Sequence, residues 1–105
     1  MAAKVLFTAD LAAGVLTDLV PSGVPAGKSW SFSVNFCNRT SAPTTIRLAI
    51  STGGSPANGE YYEYNAEIPA NGTIERTGLL AQATYRIHAL AADAGVSING
   101  YGYEE

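Results

Sequence analysis

Cysteine, histidine and tryptophan each occur once in this 105-residue chain, as Cys37, His88 and Trp30. One cysteine cannot close an intrachain disulfide, so the fold must rest on packing. One cysteine and one histidine do not supply a zinc site of the usual four-ligand kind, and no cofactor is expected. Charge is also scarce: 14% of residues are charged, against roughly 25% in an average domain. The six cations Lys4, Lys28, Arg39, Arg47, Arg76 and Arg86 are scattered, and the net charge is −3. A nucleic-acid partner, which needs concentrated positive charge to neutralise phosphates, is not expected. Long apolar runs are missing too. Val5-Leu6-Phe7 is cut short by Asp10, too soon for a secretion signal and far too soon to span a bilayer. The reading is therefore no membrane and synthesis in the cytoplasm.

What is present is apolar material, 47% of the chain, laid out with a period of two. In Ser29-Trp30-Ser31-Phe32-Ser33-Val34-Asn35-Phe36 every even position is large and apolar and every odd one small and polar. A strand puts alternate residues on opposite faces, whereas a helix would scatter these four side chains around its circumference. Thr44 to Ser51 repeats the pattern with Ile46, Leu48 and Ile50 on one face. Glu60 to Ile68 places Tyr62, Tyr64, Ala66 and Ile68 opposite Tyr61, Glu63, Asn65 and Glu67. Thr84 to Ala91, Val96 to about Tyr103 and a shorter Gly72 to Thr77 follow, with Lys4 to Thr8 and Val15 to Val20 near the start. Leu79 to Ala83 is compatible with a single helical turn.

The punctuation agrees. Segments 21–27, 53–59, 69–72 and 93–95 combine proline, glycine, asparagine and serine in turn chemistry. Short strands separated by turns about every 8–12 residues predict a single all-β domain over residues 1–105, an antiparallel β-sandwich of jelly-roll-like form with about seven or eight short strands. One internal echo, Val24-Pro25-Ala26-Gly27 and Ile68-Pro69-Ala70-Asn71, introduces a strand twice. Segment 1–12 has two placements open to it. It either packs as the first strand of its own sandwich or extends as an arm that adds a strand to a neighbouring subunit.

Catalytic constellations are weak. His88 shares its phase with Arg86 and Leu90, which predicts an outward or partner-facing side chain. Cys37 is out of phase with Trp30 and Phe36, and no motif surrounds it. Glu63 and Glu67 share a strand face but would stand roughly 13 Å apart, too far for paired carboxylate chemistry. Thr52-Gly53-Gly54-Ser55 lacks the lysine of a phosphate-binding loop. Asn38-Arg39-Thr40 and Asn71-Gly72-Thr73 fit the glycosylation sequon and are read as turns. No enzyme is expected. Six tyrosines carry more information: some fill the core, and those left outside suit a protein interface or a sugar-stacking platform. The candidate interface residues are Leu6, Phe7, Leu11, Tyr61, Tyr101 and Tyr103.

Three stretches together resemble a family: Val24-Pro25-Ala26-Gly27-Lys28, the alternating strand ending Phe36-Cys37-Asn38, and the strand Pro43-Thr44-Thr45-Ile46-Arg47-Leu48-Ala49-Ile50. They are similar to the small β-sandwich virion proteins of tailed bacteriophages. Ile68-Pro69-Ala70-Asn71-Gly72, Gly78-Leu79-Leu80, Tyr85 to Ala89 and the ending Val96 to Glu105 extend the likeness from about Val15 to the last residue. Ala81-Gln82-Ala83-Thr84 departs from it, standing where such proteins often have Gly-Asp before a strand. The resemblance implies a structural role as a capsid decoration (cement) protein or as part of a tail, collar or fibre. It implies a homo-oligomer in the virion, with the major capsid protein or other virion proteins as partners. A carbohydrate-binding module is the reading from another class.

Overall fold

The computed structural model describes residues 2–105. Eight strands form two four-stranded sheets: β1 (Lys4–Leu11), β2 (Thr17–Asp18), β3 (Trp30–Asn38), β4 (Thr44–Ser51), β5 (Tyr61–Ile68), β6 (Thr73–Ala81), β7 (Arg86–Ala91) and β8 (Val96–Glu104). A 3-10 turn, Asn58–Glu60, precedes β5. The first sheet runs β1-β8-β3-β6 and the second β2-β7-β4-β5. Every strand pair is antiparallel.

The order follows from one long hairpin. Its arms pair β1 with β8, β2 with β7, β3 with β6 and β4 with β5. Wrapping that hairpin sends successive pairs into alternate sheets, and the contacts β3–β8 and β4–β7 then knit each sheet together. This is the eight-stranded jelly-roll arrangement of two interlocked Greek keys. The sandwich predicted from period-two patterning is the one observed.

Between the sheets lies a single apolar layer. Trp30, Phe32, Val34 and Phe36 of β3 all point into it and are buried, as the alternation required. Phe7, Trp30 and Phe32 form an aromatic cluster with ring centroids 6.2–6.4 Å apart. Burying each such ring is worth about 1.5–3 kcal/mol. The Phe7 ring lies over Gly100, its partner on β8, where a Cβ would overlap the ring carbons. Asn38 caps this layer. Its amide donates to the carbonyls of Ala42, Ile68 and Pro69, and its Oδ1 accepts from the Thr40 N–H and hydroxyl. The first sequon asparagine is thus fully buried.

Several expectations need correction. Phe7 and Leu11, expected at an interface, are buried in the core of their own chain, where Lys4–Leu11 pairs with β8, the first of the two placements open to this segment. The strand expected from Val15 to Val20 is reduced to Thr17–Asp18, with one further parallel bridge from Ala13 to Ala91. Leu79 to Ala81 continues β6 instead of forming a helical turn. Gly78, at φ 72°, bulges the strand and restores its phase, so Leu79 and Ala81 face the core.

The phase of β5 also differs. Register slips occur opposite Ile46/Arg47 and opposite Leu48/Ala49, and Asn65 takes a left-handed φ of 55°. Each extra residue flips the side chains that follow. Glu63 therefore turns inward opposite Leu48 and is buried, while Tyr62 and Tyr64 are exposed. Glu63 pairs with Arg76 of β6, linking the neighbouring edges of the two sheets. Glu63 and Glu67, expected on one face, are separated by the same bulge.

Candidate interaction surface

The outer face of the first sheet is built from the residues that alternate with its core. On β3 these are Ser31 and Ser33, on β8 Tyr101 and Tyr103, on β1 Val5, and on β6 Leu80. The ladders place them in rows. Tyr103, Ser31 and Leu80 lie side by side in one row, and Val5, Tyr101 and Ser33 in the next. Small serines on the central strand leave the large neighbours standing proud. Val5 is 67% exposed, Leu80 66%, Tyr103 45% and Tyr101 38%. A shallow groove of about 300 Å³ runs between the two tyrosines along Ser31, Ser33, Gly102 and Gly78. A second, of about 170 Å³, lies on the other side of Ser31 beside Leu80 and Gln82.

Charge is confined to the margin of this patch. The Tyr101 hydroxyl donates to the Glu75 carboxylate, which pushes the Tyr101 pKa above its ordinary value. Glu104 accepts from the Trp30 indole N–H at 3.0 Å and from the Lys4 ammonium at 3.1 Å. These two bonds, the Trp30 one foremost, hold its carboxyl below the usual range. Beyond Tyr101 the face becomes polar, with Thr8, Asn99 and Asn35 in one row and Asp10, Ser97 and Cys37 in the next.

On the second sheet, sequence reasoning missed a serine–histidine contact. His88 keeps the outward phase but is buried, its Nε2 3.0 Å from Ser51 Oγ. Two features explain the burial. The adjacent β4 residues Ala49 and Ser51 are small, and the loop after Ser51 turns back so that Gly54 lies against the Arg86 side chain. The Ser51 hydroxyl donates to the Gly53 carbonyl at 2.7 Å, so the imidazole Nε2 carries the proton and donates to Ser51. A nucleophilic serine needs the opposite polarity. Asp18, beside His88 in the ladder, spends its oxygens on the Val20 N–H and the Arg86 guanidinium. The group acts as an anchor for the loop. Cys37 and His88 lie on different sheets and cannot meet. Among the described residues, no three His, Cys, Asp or Glu side chains gather to hold a metal ion.

Of the six candidate interface residues, the structure brings together Tyr101 and Tyr103. Tyr61 lies on the other sheet, packed edge-to-face on Tyr64. Leu6 sits in the β1 bulge, partly buried against the core, and Phe7 and Leu11 are core residues. On this face the exposed apolar residues not anticipated are Val5 and Leu80. Leu80 was legible only once Gly78 was read as a bulge and not as a strand end. No protein-family model matches the chain, and neither a curated protein nor a solved structure matches it.

Proposed function

We propose that this chain is a non-enzymatic structural protein of a tailed-bacteriophage virion, and that it decorates the capsid by docking the Tyr101–Tyr103–Val5–Leu80 face on the assembled shell. The observation that carries the docking is the row Tyr103–Ser31–Leu80 beside Val5–Tyr101, an exposed, charge-free aromatic and aliphatic patch on a rigid sheet. Interface cores are enriched in tyrosine and depleted of charge. The molecule measures 42 × 29 × 19 Å along its principal axes. Its broad side is thus larger than the roughly 800 Å² that each partner contributes to a standard interface. On a repeating shell, symmetry multiplies a modest contact over many copies, and self-association of the chain would add avidity. The virion assignment itself rests on the resemblance of the turn and strand motifs to those of small phage β-sandwich proteins. Jelly rolls host both capsid and lectin domains, so the fold alone does not choose between them.

Quantitative mass spectrometry of purified virions of the phage encoding this chain tests the reading. A copy number near that of the major capsid protein, or a fixed large fraction of it, supports decoration of the shell. A few to a few dozen copies per particle would move the protein to the tail, collar or fibres, which the same patch would also serve. Absence from the particle would overturn the virion reading and promote a carbohydrate-binding role for the tyrosine groove.

A further inference from the structure

Four of the six cations are held in ion pairs: Lys4 with Glu104, Arg39 with Asp10, Arg76 with Glu63 and Arg86 with Asp18. Lys28 lies near enough to Glu104 to help lower its pKa. Arg47 has no carboxylate partner among the described residues. Its position is nevertheless built. The guanidinium carbon sits 4.1 Å from the centre of the Tyr64 ring, and the Nε–H donates to Asn65 Oδ1 at 2.9 Å. Tyr64 is held in turn by Tyr61, edge-to-face at 5.1 Å and 89°.

The backbone contributes as well. Asn65 occupies the left-handed region at φ 55°, in the register slip of β5 that falls opposite Ile46/Arg47. A non-glycine residue persists there where the surroundings impose it. Bulges of this kind re-aim side chains. Here the bulge brings the Asn65 amide onto Arg47 and leaves Tyr64 exposed beneath the guanidinium. The result is a planar cation with both terminal nitrogens free of protein acceptors among the described residues, oriented before any ligand arrives.

We infer that Arg47, Tyr64 and Asn65 form a binding site for a carboxylate-bearing saccharide, on the sheet opposite the docking face. The chemistry is specific. A guanidinium fork matches a carboxylate bidentately, and pre-orientation lowers the entropy lost on binding. The exposed hydroxyl of Tyr64, whose ring lies under the guanidinium, is open to the hydroxyls of a pyranose. A single cation at the site, on a chain of net charge −3, suits a single carboxylate and disfavours a polyanion such as an acidic peptide. The site goes beyond shell docking and does not rest on it, because the two sheets face opposite ways.

A two-dimensional ¹H–¹⁵N NMR titration of the whole protein with glucuronate, glucose, acetate and a short oligoglutamate tests this. Glucuronate should shift Arg47, Tyr64 and Asn65 saturably, glucose should leave them in place, and acetate should need about tenfold higher concentration. Arg47→Ala should abolish the response with the rest of the spectrum unchanged. Asn65→Gly, which keeps the left-handed backbone and removes the amide anchor, should weaken it severalfold. The site is overturned by the absence of a saturable shift with glucuronate, by an equal response to acetate, by tighter saturation with oligoglutamate, or by a folded Arg47→Ala protein that titrates like the parent. Docking on particles is read separately and should be unaffected by Arg47→Ala.

Discussion

Tyr103 and Leu80 stand two strands apart in one row across the first sheet, with only the Ser31 side chain between them. Both are exposed, and neither packs into the core of its own chain. Nothing in the fold of the monomer requires a phenol and an isobutyl group there.

The first prediction follows. Replacing both residues by serine should change unfolding free energy by no more than about 0.5 kcal/mol per site, as for other surface positions. Chemical denaturation reads this directly. A loss of several kcal/mol would mean that the patch stabilises the monomer and would remove the argument that it is kept for a partner.

Gly100 behaves in the opposite way. A methyl group there would overlap the Phe7 ring, which lies in the aromatic cluster with Trp30 and Phe32. Gly100→Ala should destabilise by about 1–3 kcal/mol through overpacking. The second change Phe7→Leu should recover part of the loss. A double-mutant cycle with no coupling would show that the ring can move aside freely.

The Glu63–Arg76 pair is asymmetric. The carboxylate is buried and the guanidinium is half exposed. Removing the arginine strands a charge inside the sandwich, whereas removing the glutamate leaves a cation that water can reach. Arg76→Met should therefore cost more stability than Glu63→Gln, by roughly 1–3 kcal/mol. The reverse order in urea melts would contradict the inward placement of Glu63.

Acid should loosen the end of the sandwich where β6 turns into β7. Glu104, bonded to Trp30 and Lys4, and Glu60, accepting from the Ala57 and Thr52 N–H groups, have carboxyls held below the reference value of 4.5. A carboxyl depressed in the folded state contributes stability above its unfolded pKa and loses it as pH falls through its folded pKa. Stability should thus be level above pH 4.5 with respect to these groups and decline below it. Glu104→Gln should flatten part of that decline, read from thermal melts between neutral and strongly acidic pH.

How much of this was legible depended on whether a strand kept its phase. β3 has no bulged residue of its own and alternates large apolar with small polar from Trp30 to Phe36, so its two faces could be assigned from the sequence. β8 was less open: Tyr101 and Tyr103 share one face, but which face is covered is decided by Gly100 and Gly102, which leave room for Phe7 and Phe32 across the layer. β5 could not be assigned. Its composition carries no glycine or proline at either slip, so nothing marks Asn65 as the residue that turns Glu63 inward and Tyr64 outward. The burial of His88 was hidden for a different reason. Its phase is outward as read, and the cover comes from small side chains and a loop distant in sequence. Leu11 and Phe7 were placed at an interface because a short, bulged first strand shows too few repeats for its inner face to be recognised.

The most direct test of docking through the first sheet is saturable co-sedimentation of the purified chain with particles that lack it. The parent protein and Arg47→Ala should bind to a common plateau, while the Tyr103→Ser/Leu80→Ser protein, equally folded, should not reach it. Equal binding by the doubly substituted protein would contradict the assignment of this face as the docking surface.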